Sequence, residues 1–139
     1  MKELLIDAEL ANLGTVLGFV AGELKGADCP LKQQTSIILA VEEIFVNIAQ
    51  YAYTPEIGGV AIRVSVSKEV TIEFEDEGIP YNPLENEDPD ITSGIEEREI
   101  GGLGVFMVRQ IMDRVIYRHE AGKNVLTISK QIVQEEPAK

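Results

Sequence analysis

Tryptophan is absent from the 139-residue sequence, and cysteine and histidine occur once each. Cys29 alone cannot form an internal disulfide or a cysteine-based metal cluster, and such sparing use of cysteine is typical of a reducing compartment. His119 has no second histidine and no cysteine partner with which to build a metal site. We therefore interpret His119 as a structural or surface residue and Cys29 as a buried or capping residue, and we expect an ordinary hydrophobic core to stabilise the chain.

Basic residues are scarce as well. Twelve lysines and arginines stand against 24 acids, which gives a net charge of −12 and an isoelectric point near 4.4. Such a chain repels phosphate backbones and anionic membranes, so nucleic acid and membrane lipid are poor candidates for partners. Ten of the acids and a single base, Arg98, lie between Glu75 and Glu99, and this segment carries −9 of the net charge. We expect it to favour a basic docking surface on a partner protein.

Long apolar runs are missing too. No uncharged apolar stretch approaches the roughly 20 residues of a membrane span. The amino terminus, Met1 to Asp7, has only three apolar residues in a row and does not resemble a signal peptide. The 45% apolar and 26% charged fractions predict a packed globular core, and without a predicted signal peptide or membrane span we expect a soluble, cytoplasmic protein. We expect a single domain over residues 1–133, followed by a polar tail over residues 134–139.

The spacing of apolar residues predicts three helices and five short strands. In order, these are a strand over residues 3–6, a helix from Leu10 to about Gly26, a helix that starts at Asp28 and Pro30, a hairpin over residues 60–66 and 70–74, a helix that opens at Gly101, and a hairpin over residues 115–119 and 125–132 with its turn at Gly122-Lys123-Asn124. Because hairpins connect most strands, helices can cover only one face of the sheet. The order predicts an α/β (α+β) fold, a two-layer α/β sandwich with a mixed, mostly antiparallel sheet.

The second predicted helix carries Glu43, Asn47 and Tyr51 at intervals of four residues, so the three side chains follow one side of it. At about 100° per residue, this row runs beside the apolar stripe from Ile37 to Ile48, at the edge of the core. A carboxylate there can accept a proton from an attacking hydroxyl group, and an amide oxygen one turn away can coordinate magnesium. The same pair is common on solvated helix faces, and by itself the pattern favours that alternative.

A second feature is the stretch Phe74-Glu75-Asp76-Glu77-Gly78-Ile79-Pro80, which places a carboxylate at the end of a predicted strand. Asp76 can accept a hydrogen bond from an exocyclic amine such as that of adenine, and Gly78 lets a base approach the backbone. An ordinary turn uses the same residue types and is the alternative.

A third feature is the glycine cluster Gly101-Gly102-Leu103-Gly104 at a predicted helix start, where backbone N–H groups can point at an anion. It is not a Walker loop, because no Gly-Lys-Ser/Thr follows. It is not a dinucleotide fingerprint, because Met107 takes the place of the third glycine. A flexible hinge is the alternative. The preceding loop, residues 79–100, is long enough to indicate a functional lid or local disorder.

In their order and spacing, these three features closely resemble the nucleotide-binding boxes of the GHKL ATPases, most of all those of the small bacterial anti-sigma-factor serine/threonine kinases. The matching stretches run from Val41 to Tyr53, from Asp76 to Tyr81 and from Gly101 to Asp113, so the resemblance covers nearly the whole chain. It implies a Bergerat-type ATP-binding fold related to histidine kinases, with ATP and magnesium as cofactors.

The resemblance also implies a role for each matching residue. Glu43 matches the general base and Asn47 the magnesium ligand, whereas Asp76 matches the adenine-binding aspartate, with Gly78 beside it. Gly102, Leu103 and Gly104 match the phosphate-binding turn after a mobile ATP lid, which here is residues 79–100. Tyr51 departs from the histidine common in the family, which leaves the local phosphate environment open. For Arg98, contact with the terminal phosphates and a surface role are alternatives.

The partners implied by the resemblance are proteins. A kinase of this family phosphorylates a serine of an anti-anti-sigma protein and sequesters a sigma factor, and the chain is expected to do both. Two alternatives stay open: an ATP-gated binding module without kinase activity, and an interaction protein in which the three boxes are coincidental. Gyrase-like, chaperone-like and sensor-kinase architectures are disfavoured, because 139 residues leave no room for a transducer or a phospho-acceptor helix pair. A homodimer is left open.

Overall fold

The fold combines a five-stranded sheet with three α-helices. The computed structural model describes residues 1–53, 56–80 and 102–133. In chain order the elements are β1 (Lys2–Asp7), α1 (Leu13–Gly26), α2 (Leu31–Tyr51), β2 (Gly59–Val66), β3 (Glu69–Asp76), α3 (Gly102–Ile111), β4 (Arg114–Glu120) and β5 (Lys123–Gln131). All predicted elements are therefore present, in the predicted order. Within these ranges, no helix is long and apolar enough to cross a membrane.

The strands lie in the order β1-β2-β3-β5-β4, and all four pairings between described strands are antiparallel. The prediction of a mostly antiparallel sheet is thus confirmed. Among the described strands, β3 and β5 are neighbours that do not follow each other in the chain, and they also run in opposite directions. This crossover places the middle of the chain beside its last strand and brings together residues that are far apart in sequence.

The helices cover one face of the sheet, as the alternation of burial along β3 shows. Val70, Ile72 and Phe74 are buried, whereas the residues between them are only half-buried. On the helices, the residues that reach this core are Val16, Val20 and Leu24 of α1 and Ile37, Val41 and Ile44 of α2. Fully burying a large aliphatic or aromatic side chain contributes roughly 1.5–3 kcal/mol, so burial in this layer strongly stabilises the fold.

The uncovered face is polar at its centre. Arg63 of β2 forms ion pairs with Glu3 at 2.8 Å, Glu75 at 3.1 Å and Glu73 at 3.2 Å. Glu3 and Glu73 are the register partners of Arg63 on the two neighbouring strands. One guanidinium group therefore links three strands on a face that water can solvate.

Both helix starts differ in detail from the prediction. Leu10 belongs to a separate 3₁₀ turn, Leu10–Asn12, and is 53% exposed, because the amide of Asn12 bonds back to the carbonyl of Asp7 and turns the chain away from β1. Asp28 does not cap α2. It has φ of 58° and closes the end of α1, with its N–H donating to the carbonyl of Lys25, and Pro30 precedes the first residue of α2.

The turn predicted at Gly122-Lys123-Asn124 is wrong. The β4–β5 hairpin turns at Ala121 and Gly122, which have φ of 51° and 77°, so Lys123 and Asn124 are the first residues of β5. Two successive positive φ angles in a two-residue loop define a type I′ turn, whose twist matches that of the strands. Asn124 is therefore a strand residue, and it is buried.

Ala121 is strained in this turn, because an L-residue with a Cβ carries a cost of about 1–2 kcal/mol in the left-handed region. Asn tolerates this region and Asn-Gly is the preferred type I′ pair. We expect Ala121→Asn to raise the free energy of unfolding by about 1 kcal/mol, measured by urea denaturation. Ala27→Asn, at an exposed position with φ of −99°, is the matched control. An equal gain in the control would contradict this explanation.

Candidate functional site

A cleft lies between α2 and the covered face of the sheet, and it encloses about 660 Å³, part of it open to solvent. Glu43, Asn47 and Tyr51 line it from α2, and Asp76 lines it from the end of β3. The fold thus brings together the helix row and the strand-end carboxylate that the sequence singled out separately. Their roles remain predictions, but their common location is a finding.

Most of the cleft wall is apolar. It is formed by Ile44, Ile48 and Ala52 of the α2 side, Phe74 and Ile79 of the β3 side, and Val108, Val115 and Leu126 of α3, β4 and β5. Apolar walls with a few polar groups at defined points are typical of small-molecule sites. Such a wall can hold a flat heterocyclic ring, with Asp76 available to recognise its edge.

Asp76 is 6% exposed, and its carboxylate is held by two donors. Oδ1 accepts a hydrogen bond from the N–H of Gly78 at 2.9 Å and another from Nδ2 of Asn124 at 3.0 Å. Within the described part of the chain, no hydrogen bond reaches Oδ2. The carboxylate therefore has one oxygen used by the protein and one that can accept a hydrogen bond from a ligand in the cleft.

Gly78 is required for a reason that the sequence did not reveal. A Cβ at this position would lie 2.3 Å from the carbonyl oxygen of Ala52, which also accepts the N–H of Ile79 at 3.0 Å. The end of α2 is therefore packed directly against the segment after Asp76. The idea that Gly78 also makes room for a base stays a prediction.

Tyr53 ties the same two regions together. Its hydroxyl group accepts a hydrogen bond from the N–H of Glu77 at 2.7 Å and donates one to the carbonyl of Gly59 at 2.6 Å. The backbone that follows Asp76 and the start of the neighbouring strand β2 are thus both attached to the chain that leaves α2, which keeps Asp76 in place relative to the helix row.

Glu43 is half-buried at the cleft edge. Burial raises the pKa of its carboxyl group above the ordinary value of 4.5, and the neighbouring charge of Glu42 raises this pKa further. A carboxylate with a raised pKa is a better proton acceptor at neutral pH than an exposed one. The electrostatics of Glu43 are therefore suited to general-base chemistry.

Two polar residues of the cleft were missed by the sequence prediction. Tyr117 of β4 and Asn124 of β5 both line it, and the hydroxyl group of Tyr117 donates to Oδ1 of Asn124. A signal was present, because both residues share the strand face of the apolar residues Val115 and Leu126, and polar residues in such positions often have a function. The misplaced turn removed Asn124 from its strand and concealed this signal.

Other predicted residues fall in different places. Gly102, Leu103 and Gly104 form the first turn of α3, but their side-chain surroundings lie outside the described structure. Three further predictions also lie outside the described residues: Arg98, the lid from residue 81 onward and the tail over residues 134–139. His119 is exposed and Cys29 is buried and free, as expected. The described ranges contain no group of three or more His, Cys, Asp or Glu side chains suited to a metal ion.

Comparison with protein families gives a match over nearly the whole chain. A family model described as the histidine kinase-like ATPase domain matches residues 6–130. The serine/threonine-protein kinase BtrW of Bordetella bronchiseptica is 26% identical over 103 residues, which are 72% of each chain. The serine-protein kinase RsbW of Bacillus cereus is 29% identical over 103 residues, which are 70% of this chain and 64% of that relative.

Solved structures show the same fold. The RsbU and RsbW domains of Rv1364c from Mycobacterium tuberculosis align with a TM-score of 0.68 at 16% identity, covering 97% of this chain and 34% of that one. The histidine kinase domain of the blue-light activated kinase of Erythrobacter litoralis EL346 aligns with a TM-score of 0.54 at 23% identity, covering 86% of this chain and 61% of that one. At these identities the likeness concerns the fold alone.

The raised pKa of Glu43 predicts a pH-dependent cost to stability. Below the ordinary value of 4.5, folded and unfolded chains both hold the proton and no cost arises. Above it the unfolded chain ionises first, so the folded state loses stability as the pH rises through the raised pKa. We expect Glu43→Gln to increase the free energy of unfolding at pH 7 and to have little effect below pH 4.5, measured by urea denaturation.

Glu23→Gln is the matched control for this measurement, because Glu23 lies on α1 and does not line the cleft. A gain for Glu43→Gln that is the same at acid and neutral pH would contradict the electrostatic cause.

Proposed function

Because the chain belongs to the histidine kinase-like ATPase domain family, we propose that it is an ATP- and magnesium-dependent serine/threonine protein kinase that phosphorylates an anti-anti-sigma protein and also binds a sigma factor. The observation that carries this proposal is the placement of Glu43, a half-buried carboxylate with a raised pKa, in the same cleft as Asp76 and one helical turn from Asn47. A module that binds ATP and changes shape without phosphoryl transfer does not need a proton acceptor with a raised pKa in its cleft.

The residues of the cleft fit an adenine ring. The side chains of Ile48, Phe74 and Leu126 provide an apolar surface for the ring, and the free oxygen of Asp76 can accept a hydrogen bond from its exocyclic amine. With the base at Asp76, the phosphates would extend toward Glu43 and Asn47 and the first turn of α3.

The residues also fit magnesium. Asn47 offers an amide oxygen at the cleft, and Glu43 offers a carboxylate one turn away. Magnesium prefers oxygen ligands and is usually bound by one or two protein groups together with substrate phosphates and water, so a larger cluster of acids is not required. When bound, the ion would neutralise phosphate charge during transfer.

In the proposed reaction, a serine hydroxyl of the partner attacks the γ-phosphorus of ATP. The new bond joins the serine oxygen to this phosphorus, and the bond to the bridging β–γ oxygen breaks, so that ADP leaves with that electron pair. Glu43 accepts the proton of the hydroxyl group at its carboxylate, and burial at the cleft edge keeps this carboxylate from being fully hydrated. Asp76 takes no part in bond making and only binds the adenine ring.

The anti-anti-sigma and sigma partners are supported by the similarity of the three boxes to those of anti-sigma kinases, and the names of the relatives BtrW and RsbW support the kinase activity. These relatives are distant, and the chain covers 72% and 64% of their lengths, so the partners are part of the proposal. The alternative is an ATP-gated binding module without transfer, which the experiments below distinguish.

Asp76 is the residue at which nucleotide binding can be tested. Two donors hold Oδ1 of Asp76, so in Asp76→Asn the amide oxygen would keep that place and the amide nitrogen would meet the amine of adenine, donor against donor. We expect the affinity for ATP to fall at least about tenfold, measured by calorimetric titration with magnesium present. Asp7→Asn, at the exposed end of β1, is the matched control. Unchanged affinity in Asp76→Asn would contradict the assignment of Asp76 as the residue that binds adenine.

Glu43 is the residue at which phosphoryl transfer can be tested. Glu43→Gln preserves shape but cannot accept a proton, so we expect transfer of labelled γ-phosphate to a co-encoded anti-anti-sigma-type protein to fall at least about a hundredfold, while ATP still binds. Glu23→Gln is the matched control, because Glu23 lies on α1 and does not line the cleft.

Three outcomes are informative. Loss of transfer in Glu43→Gln alone supports the kinase. Full transfer in Glu43→Gln would exclude Glu43 as the base. ATP binding without any transfer by the wild-type protein would favour the ATP-gated binding module.

A further inference from the structure

The exposed side of α2 leads directly to Glu43. Leu31, Thr35, Leu39, Glu43 and Asn47 follow one another at intervals of four residues, so the row that enters the cleft begins on the protein surface. The Cβ atoms of residues four apart on a helix lie about 5–6 Å from each other, so neighbours in the row are in contact. Leu39 is therefore the first residue of the row outside the described cleft lining.

The start of this row is apolar and exposed. Leu39 is 42% exposed and Leu31 is 77% exposed, whereas Ile37 on the other side of the same helix is fully buried. Single exposed leucines are common on protein surfaces and need no explanation by themselves. What distinguishes Leu39 is its position, one helical turn from the carboxylate that is the proposed proton acceptor.

We propose that Leu39 is a docking residue for the protein substrate, and that it selects substrates with an apolar side chain next to the accepting serine. This inference rests on the proposed kinase function and adds to it the class of segment that the site accepts. It assigns a binding role to a residue that neither the sequence motifs nor the comparisons single out.

The order of groups along α2 sets the direction in which the nucleotide lies. Ala52, directly after the helix, accepts a hydrogen bond from the N–H of Ile79 at 3.0 Å, so the cleft end that holds Asp76 is the carboxyl-terminal end of α2. Asn47 and then Glu43 follow toward the amino-terminal end, and each step of four residues is about 6 Å along the axis. With adenine at Asp76, the phosphates therefore run toward the amino-terminal half of α2.

This direction determines where the serine enters. The attacking oxygen and the leaving oxygen lie roughly in line on opposite sides of the transferred phosphorus. Because ADP would extend from Asp76 past Asn47, the serine must come from beyond Glu43, which along the helix is the side of Leu39. Its hydroxyl oxygen must come within about 2.6–3.2 Å of the Glu43 carboxylate. Adjacent Cα atoms are about 3.8 Å apart, so a residue beside the serine reaches Leu39.

The surroundings of Leu39 define the chemistry of this substrate segment. An apolar side chain packed on Leu39 removes apolar surface of both proteins from water, which favours binding. An acidic side chain at the same place would be repelled, because Glu42 and Glu43 lie three and four residues from Leu39 on the helix. The site therefore favours a serine with an apolar neighbour over a serine with an acidic one.

The test is the steady-state kinetics of phosphate transfer from labelled ATP to a co-encoded anti-anti-sigma-type protein, with ATP saturating and the protein substrate varied. We expect Leu39→Ala to raise KM for the protein substrate about tenfold and to leave kcat and the affinity for ATP unchanged, because docking stabilises the bound substrate and the transition state equally. The fold should tolerate this change, since Leu39 is on the surface and alanine favours helix.

Two further variants serve as controls for this measurement. Leu39→Met keeps an apolar side chain of similar size and should retain a KM near that of the wild type. Leu5→Ala makes the same change as Leu39→Ala at a residue that is 72% exposed and lies on the uncovered face of the sheet, two residues from Glu3. We expect it to leave KM unchanged.

A second arm of the experiment changes the substrate. Replacing the apolar residues that flank its accepting serine by alanine should raise KM by a similar factor. Combining that substrate with Leu39→Ala should raise KM little further, because both changes remove the same contact. Fully additive effects would contradict direct contact between these side chains.

The division of the effect between KM and kcat is the decisive readout. An unchanged KM in Leu39→Ala, while the wild type transfers phosphate, would overturn the inference and leave the proposed function standing. A fall in kcat alone would also overturn it, because Leu39 would then act on Glu43 and not on docking. A good substrate whose serine has no apolar neighbour would have the same consequence. A wild-type protein that binds ATP but transfers no phosphate would refute the proposed kinase function, and this inference with it.

Discussion

A buried carboxylate that must be held by protein donors is the constraint on which this structure depends. Asp76 ends a central strand at 6% exposure, and a polar side chain at that depth is tolerated only when hydrogen bonds replace its water. Its donors come from the following turn, through Gly78, and from β5, through Asn124. The turn is attached to the end of α2 by Ala52 and Tyr53. One carboxylate thereby couples the helix layer to the sheet and places one edge of the cleft.

At Glu43, another residue that lines the cleft, burial of a carboxyl group has a cost to stability. Glu43 lies where partial burial and the charge of Glu42 raise the pKa of its carboxyl group, so ionising it works against folding. A residue that reduces stability in this way is typical of a site where chemistry requires a proton acceptor. The uncovered face of the sheet shows a different arrangement, because there the carboxylates of Glu3, Glu73 and Glu75 all form ion pairs with Arg63.

Much of the architecture could be predicted because it depends on spacing within single elements. The stripe of Ile37, Val41 and Ile44 defines α2, and the alternation of Val70, Ile72 and Phe74 defines β3, whatever their neighbours are. The sequence predictions are wrong where the backbone departs from the regular repeat of a helix or strand. Ala121 adopts a positive φ, which is unusual for alanine, so the predicted turn of the last hairpin lies too far along the chain. Asp28 is of a residue type that often caps helices, but here it closes the end of the preceding helix.

The sequence by itself determined the elements, the row of Glu43 and Asn47 on one helix, and the strand-end motif of Asp76, because each of these follows from the local period and from residue chemistry. Only the tertiary structure decided that Asn124 is the partner of Asp76, 48 residues away, and that Tyr117 orients it. It also decided that Gly78 must lack a Cβ, because Ala52 of another element occupies that space. The physical reason is the pairing of β3 with β5, a contact between distant parts of the chain that is set by the packing of the whole sheet rather than by any local pattern.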